Sequence, residues 1–90
     1  MINIDEAQTI AESILDERVR PWVHEPVAIA VESTRVAEDN IVFFYDTVAY
    51  LETGSVSHAL AGNGPIIVDR VTATARIASS SRPWDEQLDD

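Results

Sequence analysis

Apolar residues recur at Ala7, Ile10, Ala11, Ile14 and Leu15, and this spacing of three and four places them along one stripe of an α-helix. The stripe predicts a helix over residues 5 to 19. Asp5 followed by Gln8 has the form of a capping box; Glu6 at one end and Arg18 and Arg20 at the other suit the helix dipole; Pro21 stops the helix. Trp22 to Pro26 reads as a connector whose indole lies over the core. From Val27 the period changes to two, with Val27, Ile29 and Val31 on one side and Ala28 and Ala30 on the other, so a strand runs to about Val36. Glu38-Asp39-Asn40 is a polar turn joining it to the next strand as a hairpin. Ile41-Val42-Phe43-Phe44-Tyr45 is apolar on both faces, as a central strand requires. Phe43 and Tyr45 go to one face and Phe44 to the other. One set packs under the helix; the other is either covered by residues 55 to 62 or exposed as an aromatic patch.

Asp46 to Leu51 bends or bulges before a turn at Gly54. Ser57 is positioned to cap a one-turn helix over His58 to Ala61, and Gly62 to close it in the left-handed conformation. Asn63 tolerates that region, and Gly64-Pro65 adds a flexible joint and a fixed φ before Ile66, Ile67 and Val68 enter the core. Gly54, Gly62, Asn63, Gly64 and Pro65 therefore form a structural motif. Ile66 to Val71 is a third strand and Thr74 to Ala78 a fourth, joined around Thr72-Ala73. Ser79-Ser80-Ser81 is a linker, and Pro83 with Trp84 starts a short terminal helix. The acids from Asp85 onward oppose the dipole of that helix, which predicts fraying. The fold class is α+β: an N-terminal helix packed on an antiparallel sheet of about four strands, with a short C-terminal helical turn, in one domain over residues 1–90.

Charge sharpens this picture. Sixteen Asp and Glu stand against 6 Arg and no Lys, a formal net charge of -10. Such a surface repels phosphate backbones and anionic membranes, and its natural complement is a basic protein; the plainer reading is that acidity keeps the chain soluble. No run approaches the ~20 apolar residues of a membrane helix, and the start of the chain lacks the pattern of a secretory signal, so the expected location is cytoplasmic. The absence of cysteine removes disulfides, thiolate nucleophiles and Cys-based metal sites. His24 and His58 lack partners at ligand spacing, and Ser57, His58 and Asp69 lack a nucleophile elbow. The expectation is no enzyme, no cofactor and no metal.

Three stretches carry a family likeness: Tyr50-Leu51-Glu52-Thr53-Gly54, Leu60-Ala61-Gly62-Asn63-Gly64-Pro65 and Val68-Asp69-Arg70. Together they resemble the immunity protein 35 family, or YrhB-like domain, of bacterial polymorphic toxin systems. The N-terminal helix, the aromatic strand and Arg82-Pro83 extend the resemblance over nearly the whole chain. Two places depart from it. The family's Thr-Gly-Glu after Asp-Arg is here Thr72-Ala73-Thr74, and its Gly-Thr element before Arg82-Pro83 is here Ser79-Ser80-Ser81. The resemblance implies the same layout and a non-enzymatic immunity protein that binds a cognate toxin and blocks its active site. Added to the acidic balance, it points to a basic toxin as partner and leaves a homodimer open. The alternative is a small chaperone-like or stress-associated binding module. Partner-binding candidates are the acids Glu38, Asp39, Asp46 and Glu52, with Phe44, Tyr45 or Tyr50 as aromatic anchor.

Overall fold

A computed structural model of the chain describes residues 1–60, 62 and 64–89. Helix α1 (Ile4–Arg18) is capped by Asn3, whose side chain accepts the Glu6 N–H at 2.8 Å while Glu6 Oε1 accepts the Asn3 N–H at 3.3 Å. The capping box is thus Asn3/Glu6 and not Asp5/Gln8; Asp5 sits inside the first turn, where it serves only the dipole. Ala7, Ala11 and Leu15 are fully buried, with Ile10 and Ile14 flanking them. Two alanines on the buried stripe let the helix lie close to the sheet.

After Val19 the chain makes a 3-10 turn, Arg20–Trp22. Arg20 brackets that turn: Nε and Nη2 donate to the Val27 carbonyl at 3.2 and 2.7 Å, and Nη1 donates to Glu12 at 2.9 Å and Asp16 at 2.8 Å. Burial works against its charge, but the two carboxylates outweigh it and raise its pKa. So fixed, the connector packs Val23 against the core and leaves Trp22 82% exposed. Trp22 is not the core lid that its size suggested.

The expected strand over 27–36 is interrupted. Strand β1 (Val27–Ile29) pairs with β4 (Tyr45–Thr47), and β2 (Arg35–Ala37) pairs with β3 (Asn40–Phe43). Ile29 lies opposite Tyr45 and Arg35 opposite Val42, so six steps on one side (29 to 35) face three on the other (45 to 42). The surplus of three residues leaves the ladder as a 3-10 turn, Val31–Ser33. This is an enlarged bulge, which ends the first pairing and re-aims the strand beyond it. Past this turn, β3 pairs with β5 (Ile66–Asp69) and β5 with β6 (Thr74–Ile77), all antiparallel, in the order β2-β3-β5-β6.

Both tight turns use residues other than glycine at positive φ: Glu38 at 57° between β2 and β3, and Ala73 at 58° between β5 and β6. Asp69 Oδ1 accepts the N–H groups of Val71 at 2.8 Å and Thr72 at 3.1 Å, and the Ala73 N–H reaches the Asp69 carbonyl at 2.9 Å. The last hairpin therefore persists although Ala73 stands where the resemblance leads one to expect glycine.

Two apolar clusters flank β3. Ile41, Phe43, Tyr45, Ile66 and Val68 pack under α1, as the alternation predicts. Val42, Ile67 and Ala78 face the other way, and Phe44, Trp84 and Leu88 join them. That second face is covered by the C-terminal segment rather than by residues 55–62. The rings of Phe44 and Trp84 meet edge to face at 5.9 Å and 81°. The 3-10 turn Trp84–Gln87 is anchored by Gln87, which is 4% exposed; Asp90, at the end of the segment expected to fray, lies outside the described residues. Its Nε2 donates to the carbonyls of Ser79 at 2.9 Å and Arg82 at 3.1 Å, and its Oε1 accepts the Ser79 N–H at 2.8 Å.

The corner differs in detail from expectation. A helix, α2 (Val48–Thr53), comes directly after β4, capped by Thr47 Oγ1 on the Tyr50 N–H at 3.0 Å and closed by Gly54 at φ 71°. Among the described residues Ser57 caps nothing; it lies inside a 3-10 turn, Val56–His58, that precedes the helix expected after it, and Ala61, the last residue of that expected helix, lies outside the described residues. Gly62 takes φ 78° as predicted, and Asn63 lies outside the described residues. Gly64 is a point of close approach and not a joint, since a Cβ there would strike the Ala78 backbone carbonyl. The neighbouring Ala78 N–H donates to the Pro65 carbonyl at 2.8 Å.

Candidate functional site: an aromatic groove on the face opposite the helix

The C-terminal segment covers only part of the face that Phe44 looks out on. Beside it lies an open groove of about 560 Å³, formed by Phe44 and Trp84 with Tyr50 and Leu51 from α2, Arg35 from β2, and Ala30 and Ser33 from the looped-out turn. Phe44, Tyr50 and Trp84 are half-buried, and Leu51 is 41% exposed. A smaller recess, of about 400 Å³, shares Ala30, Ser33 and Leu51 with the groove and adds Ile29, Val31 and Glu32. Val31 is 59% exposed, so the apolar surface runs on from the groove floor.

Of the candidates from the sequence, Phe44, Tyr45, Asp46 and Tyr50 border this groove. Tyr45 does so with its side chain packed in the cluster under α1, 9% exposed, its buried hydroxyl without a hydrogen bond among the described residues. Burial, and after it the charge of Asp46, pushes the Tyr45 pKa up, so the ring stays neutral. Asp46 has a structural duty: its Oδ1 accepts the N–H of Thr47 at 2.8 Å and of Leu60 at 2.9 Å. Thr47 Oγ1 donates to the His58 carbonyl at 2.7 Å, and these bonds together hold the loop after α2 against β4. Glu52 is exposed on α2, next to Leu51. Glu38 and Asp39 are exposed too, but they occupy the β2–β3 turn, at the other end of the central strand from Phe44 and Asp46.

Arg35, Leu51 and Trp84 were not anticipated at the site. Arg35 arrives there through register: it lies opposite Val42 and so shares the face of Val42 and Phe44. Its Nη1 donates to the carbonyls of Ser33 at 3.1 Å and Thr34 at 3.3 Å, and it forms no ion pair with a described carboxylate. His58 Nδ1 meets Glu25 Oε1 at 2.8 Å, tying the loop to the connector after α1. Among the described residues no group of three His, Cys, Asp or Glu could hold a metal ion, and no helix is long and apolar enough to cross a membrane.

These features define a small acidic α+β protein whose exposed chemistry is a recessed aromatic surface. The chain belongs to the immunity protein 35 family, whose model matches residues 5–90, essentially its whole length. It is accordingly an immunity protein, a class whose partner is a toxin. No curated protein and no solved structure matches the chain.

Proposed function

We propose that this protein, acting as a single non-enzymatic domain, neutralises its toxin by lying across the toxin's active site with the groove face inward. The observation that carries the reading is the Phe44–Trp84 pair, held edge to face at the floor of an open groove with Tyr50 and Leu51 on its wall. Aromatic side chains seated in recessed apolar pockets are frequent anchors of protein interfaces. A net charge of -10 supplies the second part, a field that draws in a basic toxin and repels nucleic acid. Asp46 lines the groove and the exposed Glu52 follows Leu51 on α2; Glu38 and Asp39 extend the acidic surface away from it. None of this requires a covalent step.

The test is inhibition of the toxin domain encoded by a neighbouring gene, with binding kinetics on a sensor surface. Tyr50→Ala with Leu51→Ser should speed dissociation at least tenfold while the fold is kept, because neither residue is buried. Glu38→Arg with Asp39→Arg should slow association and weaken its dependence on salt. Inhibition that persists unchanged in the Tyr50/Leu51 variant would place the contact elsewhere. A toxin that still admits substrate when saturated with this protein would refute occlusion.

A further inference from the structure

Arg35 is the arginine that lines the groove. The chain carries 16 acids and 6 arginines, yet the arginine beside the aromatic groove has no carboxylate partner among the described residues. Arg20, by contrast, is held by Glu12 and Asp16. The geometry around Arg35 is fixed on both sides. The looped-out turn Val31–Ser33 sets its place in the ladder, and the carbonyls of Ser33 and Thr34 hold Nη1, which leaves the rest of the guanidinium fork open. Along the chain from β3 into β4 the groove is polarised: Arg35 lies opposite Val42, Phe44 follows between the two strands, and Asp46 stands on β4, four residues beyond Val42.

We propose that the groove is a subsite for a toxin segment that presents a carboxylate next to an apolar side chain, the apolar group resting on Phe44 and Trp84 and the carboxylate pairing with Arg35. This rests on the toxin-binding reading above and adds the chemistry of the contacting segment. A purely apolar occupant would cover Arg35 and leave its charge desolvated and unpaired, which is costly. A basic side chain at the same point meets like charge. A carboxylate satisfies the open fork, with two parallel hydrogen bonds available to it. The broad negative field attracts a basic toxin, and this one inverted contact fixes the register in which it docks. Strand addition along the outer edge is a poor rival, because the three-residue turn between β1 and β2 breaks that edge.

The experiment needs no toxin, so its failure would remove the subsite while leaving toxin inhibition to be judged by its own assay. The free, nitrogen-15-labelled protein is titrated at physiological salt with N-acetyltryptophan and, separately, with its uncharged amide. A chain of charge -10 disfavours an anion overall, so the net field cannot produce a preference for the acid, and Arg35→Gln separates this arginine from the other five. The acid should bind about three- to tenfold more tightly than the amide, with amide shifts centred on Phe44, Arg35 and the Trp84 indole. Arg35→Gln is an exposed change that leaves the fold intact; it should abolish the preference while the amide binds as before. Equal binding of acid and amide, a preference that survives Arg35→Gln, shifts centred on Trp22, or no binding of either probe up to its solubility limit would each overturn the proposal.

Discussion

Replacing Ala73 by glycine should stabilise the protein. Ala73 sits at φ 58°, in an exposed turn between β5 and β6. The left-handed region costs a residue with a Cβ roughly 1–2 kcal/mol, because that atom crowds the adjacent carbonyl. Glycine is free of this strain but gives up about 0.4–1 kcal/mol through its greater freedom in the unfolded chain. No packing is lost with an exposed methyl, so the net gain should be about 0.5–1 kcal/mol, a rise of roughly 3–6 °C in the melting midpoint of a chain this small. Gly62→Ala is the mirror experiment. Gly62 has φ 78°, and a Cβ there would meet nothing within 4 Å, so no clash adds to the balance: its loss of stability should be the same strain less the same gain in the unfolded chain, and similar in size.

Urea and thermal melts of the three proteins decide the matter. A lower midpoint for Ala73→Gly, or no change in either variant, would mean that the turn is set by something other than backbone conformation, with the Asp69 side chain the first suspect. Glu38, at φ 57° in the other hairpin turn, gives an independent repeat of the same reasoning.

Other expectations rest on different contacts. Gly64→Ala should cost about 1–3 kcal/mol and exceed Gly62→Ala in urea melts, because its Cβ would push into the rigid carbonyl of Ala78. Tyr45→Phe should be neutral or slightly stabilising by the same melts, since the hydroxyl removed is buried without a partner among the described residues. Hydrogen bonds from Thr72 and Val71 hold the Asp69 carboxyl below its ordinary pKa. Its contribution is therefore complete above the ordinary carboxylate value and fades as pH falls through the lowered one. The stability gap between the natural protein and Asp69→Ala should shrink below about pH 4.

The parts of the fold legible in the sequence were those fixed by local periodicity. The stripe Ala7, Ala11, Leu15 lies buried under one face of the central strand, and the alternation of Phe43 and Phe44 places them in opposite clusters. The errors arose where a single side chain redirects the chain. Arg20 brackets the connector and so leaves Trp22 in solvent, and Gln87 anchors the C-terminal segment that covers the second face. Neither effect has a spacing signature, because each depends on carbonyls presented by residues up to eight positions away. Thr47 capping α2 was open to recognition, but the β-branched and aromatic run around it reads equally well as strand.

The site was half legible for a related reason. Composition and aromatic content single out Phe44, Tyr50 and the acids, yet they say nothing of which neighbours share a face. That is decided by register, and here the register jumps three residues between Ile29–Tyr45 and Arg35–Val42. Had the strand run on unbroken from Ile29–Tyr45, Val42 would face residue 32, and Arg35 would lie three positions further on, opposite Asp39 in the turn and on the other side of the pleat. The looped-out turn thus does two things at once. It breaks the exposed sheet edge against unwanted pairing, and it delivers one cation to the aromatic groove of an acidic protein. Deleting residues 31–33 should accordingly remove the carboxylate preference of the groove while strengthening self-association along the repaired edge. Sedimentation velocity and the N-acetyltryptophan titration on the same variant would separate the two effects, and a deletion variant that matches the natural protein both in association state and in preference would break the link between them.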